Sequence, residues 1–355
     1  MNTNKNKRVA VAMSGGVDSS VCASLLAENG FDIFGATMSL FCRSKDSTPI
    51  NEDDCREAGL ICRCLGIEHK IYNLEKEFKQ YVIDDFTKAY INGATPNPCI
   101  ECNKNLKFGA LLDSVKSDGA AYIATGHYAN TEKTSDGRIL LKKAADSKKD
   151  QSYVLWKLTQ DQLACAMFPL GSITKDEIRE IAATKGFQNA HKKDSQDICF
   201  IPDGDYVKFI KENTGYTPIP GDYIDADGNI IGKHKGIINY TVGQRKGLGI
   251  SMGRHVFVYD KNAENNTVML SDEDRLFTNK IVIRGINLIP FDKIDSPINV
   301  QAKIRYKQPQ SPAIAEQTAE DEITLIFKDS QRAPAKGQSA VMYDGDYVIG
   351  GGIIV

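Results

Sequence analysis

Two sets of residues in this chain have the types and spacing for chemistry. The first is Ser14-Gly15-Gly16-Val17-Asp18-Ser19, which follows the apolar run Val9-Ala10-Val11-Ala12-Met13 and precedes a helix-like stretch from Val21 to Glu28. An uninterrupted apolar run of this length suits a strand buried on both faces of a parallel sheet. Adjacent glycines let the backbone turn sharply and present N–H groups to a phosphate, and the following helix N-terminus adds partial positive charge. The hydroxyls of Ser14, Ser19 and Ser20 supply further donors. No Gly-Lys-Ser/Thr ends the loop, so this phosphate cradle is not of the Walker type. Asp18 either complements the helix dipole or orients the loop or a magnesium ion.

The second set is built on sulfur. Cys99-Ile100-Glu101-Cys102 is a Cys-x-x-Cys approached by Thr95-Pro96-Asn97-Pro98, and the prolines make that approach extended and rigid. Cys102-Asn103 is expected to open a helix carrying Lys104 and Lys107. A thiol near a helix N-terminus and near lysines has a lowered pKa and is partly thiolate at neutral pH. Two thiolates at this spacing are also half of a zinc or iron–sulfur site. Cys62-Arg63-Cys64 is too tight to be the other half, and Cys42 with Cys55 is a poor candidate. Cys22, Cys55 and Cys165 fall on helical apolar faces, where packing explains them. Far along the chain stands Cys199, in Asp194-Ser195-Gln196-Asp197-Ile198-Cys199-Phe200. Two reactive cysteines and a phosphate cradle form a coherent set, in which a bound nucleotide would turn a carbonyl oxygen into a leaving group and sulfur would replace it.

The elements that must position these groups are legible in outline. Up to about residue 200, strand and helix signals alternate. Apolar runs at Val9–Met13, Phe31–Leu40 and Ala120–Thr125 and a short strand at Lys70–Leu74 are interleaved with helices expected from about Asn51 to Gly66, Glu75 to Ile91 and Lys104 to Lys116. Such alternation implies right-handed crossovers and a doubly wound parallel sheet of the α/β class, with ligands at the carboxyl ends of the strands. Gly15-Gly16 and Gly126-His127 both sit at such ends and are expected to face one site. Tyr128 to Ala144 is read as a hairpin turning at Asp136-Gly137. Thr174 and Glu177 form a capping box opening a helix that stops at Gly186. After about Gly215 the pattern becomes β-rich, with runs at His255–Tyr259 and Thr267–Leu270. From Lys280 onward five more short runs, including Val300–Arg305, Ile323–Phe327 and Tyr347–Val355, favour a small barrel.

A length of 355 residues suggests two or three domains. The 41% hydrophobic and 25% charged content is that of a soluble globular protein. No apolar stretch approaches the roughly 20 residues needed to span a bilayer, and Met1 to Lys5 lacks the apolar segment of a signal peptide. A cytoplasmic protein without membrane partners is expected. Thiols stay reduced there, so nine cysteines argue for catalysis or metal rather than a disulfide framework. A net charge of −2 gives no global hint of nucleic acid. Yet the stretch from Asn229 to Tyr259 has no acidic residue and holds Lys233, His234, Lys235, Arg245, Lys246, Arg254 and His255, an electrostatic footprint for phosphate.

The loop resembles the pyrophosphate (PP) loop of the ATP pyrophosphatase group, which splits ATP between the α- and β-phosphates and leaves a substrate adenylated. The whole chain resembles the bacterial tRNA-specific 2-thiouridylases, which thiolate the wobble uridine of certain tRNAs. The matching blocks are Ala12 to Ser19, Thr95 to Pro98 with Cys102-Asn103-Lys104, Ala124-Thr125-Gly126-His127-Tyr128, Lys149-Asp150-Gln151-Ser152-Tyr153, Asp194-Ser195 with Ile198 to Ile201, Gly243 to Gly249, Arg305-Tyr306 and Gly337 to Val341. They run in order over nearly the whole length.

The resemblance implies a PP-loop nucleotide-binding domain (1–203), a small central β-rich domain (204–278) and a C-terminal β-barrel (279–355) that helps hold tRNA. It implies ATP contacts from Ala12, Met13, Ser14, Gly15, Gly16, Val17, Asp18, Ser19, Met38 and Gly126, with Mg²⁺ accompanying the nucleotide. Asn97, Pro98 and Cys99 would meet the target base, and Lys149, Asp150, Gln151, Arg305 and Tyr306 would touch tRNA. His127 and Gln338 are further substrate contacts. Cys102 matches the nucleophile and Cys199 the carrier of a persulfide, received from a sulfur-relay protein or cysteine desulfurase. Cys102 then acts by forming a disulfide with Cys199 as sulfur is released, or by attacking the persulfide. One departure is Cys99, where many members have an Asp thought to act as acid or base. By residue type alone, His127 also fits a capped loop histidine and Arg305 a solvated strand residue. Two rival functions are an amide-forming ATP pyrophosphatase, which needs neither paired cysteines nor a β-rich tail, and a non-catalytic zinc-stabilised RNA-binding module.

Overall fold

The computed structural model describes residues 7–40, 52–190 and 198–355. Internal contacts divide the chain into two compact units. The first holds Met1–Ile83, Cys99–Phe200 and Asp346–Val348, and the second Asp84–Pro98, Ile201–Gly345 and Ile349–Val355. Cys42 and Asp194-Ser195 fall outside the described residues.

In the first unit lie β1 (Val9–Ala12), β2 (Ile33–Ser39), β3 (His69–Asn73), β4 (Tyr122–Ala124), β5 (Asn130–Lys133), β6 (Ile139–Lys142) and β7 (Ala166–Met167). Five of them form one sheet in the order β3-β2-β1-β4-β7, every pair parallel. Val9, Ala10 and Val11 have no exposed surface, as a central strand covered on both faces requires. On one face the helices Val17–Glu28, Glu52–Leu65 and Lys175–Thr184 pack Val21, Ala58, Ile61, Ile178 and Ala182 against Val9 and Val11. Cys22 and Cys62 belong to that core, and Cys55 is buried too. β5 and β6 form the expected hairpin. Strand β7, only two residues long, carries no readable pattern.

The helix expected from Lys104 begins earlier. Helical backbone runs through Pro98–Glu101, a π-helical Cys102–Ala110 and Leu111–Ser117. Proline is at home at a helix start, where its missing N–H would have no intrahelical partner.

The second unit contains the helix Tyr206–Thr214, which the sequence pattern did not suggest, ending on Gly215 in a left-handed conformation (φ 68°). A four-stranded sheet of β8 (Gly221–Ile224), β9 (Ile230–His234), β10 (Phe257–Asn262) and β11 (Thr267–Ser271) follows, ordered β10-β11-β8-β9. Tyr223, His234 and Tyr240 meet edge-on at its core with centroids 5.6 to 5.8 Å apart. The His234 Nδ1 accepts from the Gly236 N–H at 2.9 Å. His234 is therefore a core residue, not part of a basic surface.

The chain then forms β12 (Phe277–Leu288), β13 (Ile298–Lys303), β14 (Ser311–Ala319), β15 (Glu322–Arg332), β16 (Ser339–Asp344) and β17 (Tyr347–Ile354). They run β12-β15-β14-β13-β16-β17, and pairing of β12 with β17 closes a six-stranded barrel. Its interior holds Ile281, Ile283, Val300, Leu325, Phe327 and Met342. The five short runs expected here are six strands, two of them 12 and 11 residues long. Register shifts at Thr278/Lys280 interrupt the alternation within the longest.

Candidate active site

The loop after β1 is held by its own side chains. Gly15 takes φ +69°, and a Cβ there would lie 2.8 Å from the Asp54 carbonyl oxygen, so this glycine serves both the turn and close packing against helix Glu52–Leu65. Gly16 is the N-cap of the following helix, and a Cβ on it would meet nothing nearer than the Ser14 hydroxyl at 3.4 Å. The Ser19 and Ser20 hydroxyls each donate to the Gly16 carbonyl at 3.0 Å, and the Ser14 N–H donates to Ser19 Oγ at 3.2 Å. Ser20 is fully buried, so its hydroxyl stiffens the loop instead of facing a ligand, contrary to expectation. Asn189, which no motif singled out, donates to the Gly15 carbonyl and to Ser20 Oγ, both at 3.0 Å.

A cavity of about 210 Å³ opens at the carboxyl ends of β1, β2 and β4. Ala12, Met13, Ser14, Asp18 and Ser19 line it together with Met38, Thr125, Gly126, His127, Gln151 and Lys107. The two strand ends picked out by sequence thus face one space. Gly126 is there because a Cβ would come within 2.9 Å of the Asp18 carbonyl carbon and the Ser19 nitrogen. Gly15, Gly16 and Val17 do not line the cavity, and Val17 packs into the core.

Asp18 has a partner that sequence reasoning missed. The Lys175 ammonium, almost fully buried, donates to both Asp18 oxygens at 2.7 and 2.9 Å, and the Tyr128 hydroxyl donates to one of them at 2.8 Å. Lys175 is the first residue of the helix capped by Thr174, whose capping box with Glu177 is complete. The box was legible; where it aims the next side chain was not.

His127 is buried between Phe108 and Phe168, with Nδ1 2.8 Å from the Thr125 hydroxyl. Burial first, and Lys107 second, hold its pKa well below the usual histidine value, so the ring is neutral. The same Thr125 hydroxyl accepts from the His127 N–H at 3.4 Å.

Cys99, Cys102 and Cys199 converge in the same unit, although Cys199 is remote in sequence. Cys99 and Cys199 are exposed and Cys102 is half-buried, and none of the three is in a disulfide. The residues keep accessible surface, yet protein atoms crowd round each sulfur and strip hydration from a thiolate there. Burial pushes the Cys199 thiol up to about 12, and facing Cys102 and Cys99 adds to the rise, opposed by Lys107. Burial likewise raises Cys102, with Lys107 opposing it. The lowered Cys102 pKa expected from a helix N-terminus is therefore reversed. Cys102 lies beyond the first helical turn, where the dipole has faded, and desolvation outweighs the nearby lysine. Glu101, between the cysteines, is anchored by the Lys157 ammonium and by Asn105 Nδ2 at 2.9 Å.

Residues 7–203 match the family described as tRNA methyl transferase HUP domain, 207–272 the tRNA methyl transferase PRC-barrel domain, and 278–354 the aminomethyltransferase beta-barrel domain. The chain is 46% identical over 355 residues to the tRNA-specific 2-thiouridylase MnmA of Clostridioides difficile, covering 98% of each. It is 47% identical over 353 residues to that of Clostridium beijerinckii, again covering 98% of each. The chain belongs to the tRNA-specific 2-thiouridylase family.

The remaining residues singled out in this thiouridylase-family chain have identifiable local roles. In the first unit the Asp150 carboxylate accepts from the Ala144 and Ser152 N–H groups and the Ser152 hydroxyl, and Gln151 Oε1 accepts from the Tyr128 N–H at 3.0 Å. Lys149 is half-buried beside them. In the second unit Gln338 Nε2 donates to the Thr95 carbonyl at 2.7 Å, and the Thr95 N–H donates to the Lys336 carbonyl at 2.7 Å. Gln338 thus clamps the segment leading to Asn97 and Pro98. Arg305 is half-buried and donates to the carbonyl of Ala333, a non-glycine residue at φ +51°. It is a turn brace, not a solvated strand residue. Tyr306 lies under the Lys303 ammonium at 5.7 Å.

The acid-free stretch forms a cleft of about 530 Å³ lined by Arg245, Gly247 to Ser251 and Arg254 to Val256. Arg254 is paired with Asp272 at 2.7 Å and Lys233 with Asp222. Arg245 and Lys246 stay exposed. No described helix is long and apolar enough to cross a membrane.

Proposed function

We propose that this chain is an ATP-dependent tRNA sulfurtransferase that forms 2-thiouridine at the wobble position. The observation that carries the proposal is the gathering of Cys99, Cys102 and Cys199 around Lys107, a residue that also lines the cavity at the phosphate-type loop. Family membership supplies the substrate: the relatives are named for 2-thiolation of tRNA.

In this proposal ATP enters the cavity lined by Ala12 to Ser14, Asp18, Ser19, Met38 and Gly126, its phosphates on the loop amides and the N-terminus of helix Val17–Glu28. The fit is supported by the open approach to Gly16. Both Asp18 oxygens already hold Lys175, so Asp18 braces the loop, and Mg²⁺ accompanies the nucleotide's phosphates. The uridine C2 oxygen attacks the α-phosphate and pyrophosphate leaves. A persulfide on Cys199, delivered by a sulfur-relay protein or desulfurase, supplies the sulfur. Its terminal sulfur attacks C2 and the C2–O bond breaks with loss of AMP. The Cys102 thiolate then cleaves the S–S bond at the Cys199 sulfur, leaving thiouridine. In the alternative order Cys102 attacks the persulfide first and the released hydrosulfide adds to C2. Either order leaves a Cys102–Cys199 disulfide that a dithiol reductant reopens. We further propose that 1–203 carries this chemistry and that 204–278 and 279–355 hold tRNA, with Asn97 to Cys99 at the base and Lys149 to Gln151, Arg305, Tyr306, His127 and Gln338 contributing contacts.

The deciding experiment is thionucleoside analysis of tRNA from cells lacking the gene, complemented with wild type, Cys199→Ser, Cys102→Ser or Cys99→Ser. Wild type should restore 2-thiouridine and the first two variants should not, while Cys199→Ser still releases pyrophosphate with tRNA and ATP. Normal 2-thiouridine in the deletion strain would sink the assignment. Loss of thiolation in Cys99→Ser would give Cys99 the role that Asp fills elsewhere in the family.

A further inference from the structure

Lys107 stands where the two halves of the proposed reaction meet. It lines the nucleotide cavity together with Ser14, Asp18, Gly126 and His127. Among the described residues no carboxylate pairs with its ammonium and no hydrogen bond holds it. Among the described residues the one acidic side chain lining the cavity, Asp18, is neutralised by Lys175. The cavity therefore carries an uncompensated positive charge, which suits an anion. The backbone explains how the same residue reaches the sulfurs. From Cys102 to Ala110 the helix is π-helical, with hydrogen bonds from i to i+5. A residue five positions on then stands one turn above Cys102, where an α-helix would place the fourth and swing the fifth aside. Electrostatics agrees: burial raises the pKa of Cys99, Cys102 and Cys199, and Lys107 opposes the rise at each.

We propose that Lys107 is a catalytic cation shared by the nucleotide cavity and the cysteine cluster, holding the α-phosphate of the adenylated base while countering negative charge on the attacking sulfur. This rests on the sulfurtransferase proposal and adds a residue to it. As sulfur adds to C2 and the C2–O bond breaks, AMP leaves with that oxygen and its electron pair, and the charge on the phosphate rises by one. Lys107 is placed to take up that charge just as the thiolate charge beside it is consumed. The π-helical turn is what allows one ammonium to serve both, and turns of this rare kind recur at functional sites.

The test uses the full chain as Lys107→Met and Lys107→Arg, with Lys116→Met on the exposed end of the next helical segment as control. AMP and adenosine are titrated calorimetrically, and iodoacetamide labelling of Cys199 and of the peptide carrying Cys99 and Cys102 is followed by mass spectrometry. Lys107→Met should weaken AMP binding about tenfold, the size of one charge-assisted hydrogen bond, and leave adenosine binding unchanged. It should slow labelling several-fold and cut thiouridine formation about 100-fold, with an unchanged urea midpoint. Lys107→Arg should recover most of the AMP affinity, and Lys116→Met should match wild type throughout. Equal losses for AMP and adenosine, or labelling at the wild-type rate, would overturn the shared-cation role while leaving the function standing. A wild-type chain that binds AMP and ATP no better than adenosine would instead overturn the nucleotide assignment itself.

Discussion

Asp18 looks from sequence like a free carboxylate awaiting a cation, and the structure shows the cation already in place. Lys175 is nearly buried and bonded to both oxygens, so removing it strands a partly buried negative charge at the start of the loop helix. Lys175→Met should therefore cost roughly 3 kcal/mol of stability and suppress pyrophosphate release. Pairing it with Asp18→Asn should recover much of the stability but not the activity. Urea unfolding of the two single variants and the double variant checks this, and additive losses would mean the pair is not coupled. His127 and His234 are both buried with pKa values pushed below the ordinary histidine value, chiefly by burial. In the folded chain both resist protonation, while the unfolded chain takes up protons below about pH 6.5. Folding stability should thus fall as pH drops through that range, by about 1.4 kcal/mol per pH unit for each histidine still neutral in the folded state. His127→Gln should make urea-unfolding free energies measured from pH 7 to 5 decline less steeply.

At the scale of elements, the two loop glycines separate cleanly. Gly15 has a positive φ and a backbone carbonyl 2.8 Å from where a Cβ would sit, so Gly15→Val should lower stability by about 2 kcal/mol or more and reduce the yield of folded protein. The close approach to phosphate expected of the glycine pair is left to Gly16, where a Cβ meets nothing nearer than 3.4 Å. Gly16→Ala should melt within about 0.5 kcal/mol of wild type yet bind ATP more weakly, because its methyl enters space the structure leaves open. Urea midpoints and nucleotide titrations on both variants test the distinction, and a Gly15→Val chain as stable as wild type would contradict the packing argument. The helix from Pro98 to Ser117 teaches a related lesson. Its lysines and cysteines were readable, but its start at Pro98 and its π-helical turn were not, because helical periodicity does not reveal a changed hydrogen-bond register.

For the molecule as a whole, tRNA affinity has to come from local charge, since the net charge is −2. Of the basic residues between Asn229 and Tyr259, Lys233 and Arg254 are spent on carboxylates and His234 on the core, whereas Arg245 remains exposed at the cleft and Lys246 is exposed next to it in sequence. Arg245→Gln with Lys246→Gln should flatten the plot of log affinity against log salt by about one unit per lost phosphate contact, at little cost in stability. Arg305→Gln should instead destabilise the barrel segment by releasing the Ala333 turn. Binding isotherms from 50 to 300 mM salt, beside melts of each variant, distinguish the two, and an unchanged slope for the Arg245/Lys246 pair would remove the cleft from the tRNA surface.

The sequence by itself determined the parallel-sheet core, the β-rich remainder and the two strand ends at the cavity, because apolar runs, adjacent glycines and turn residues act over a few positions and leave their mark locally. It also singled out Cys99, Cys102 and Cys199 as candidates, since nucleophile chemistry restricts residue type. What only the tertiary structure decided were the relations between distant segments. These include Lys175 and Asn189 closing on the loop, Cys199 joining Cys99 and Cys102, Gln338 clamping Thr95, and burial overruling the helix dipole at Cys102. Each depends on which surfaces lose water together and on which side chains then meet, and no local pattern encodes desolvation by a partner far along the chain.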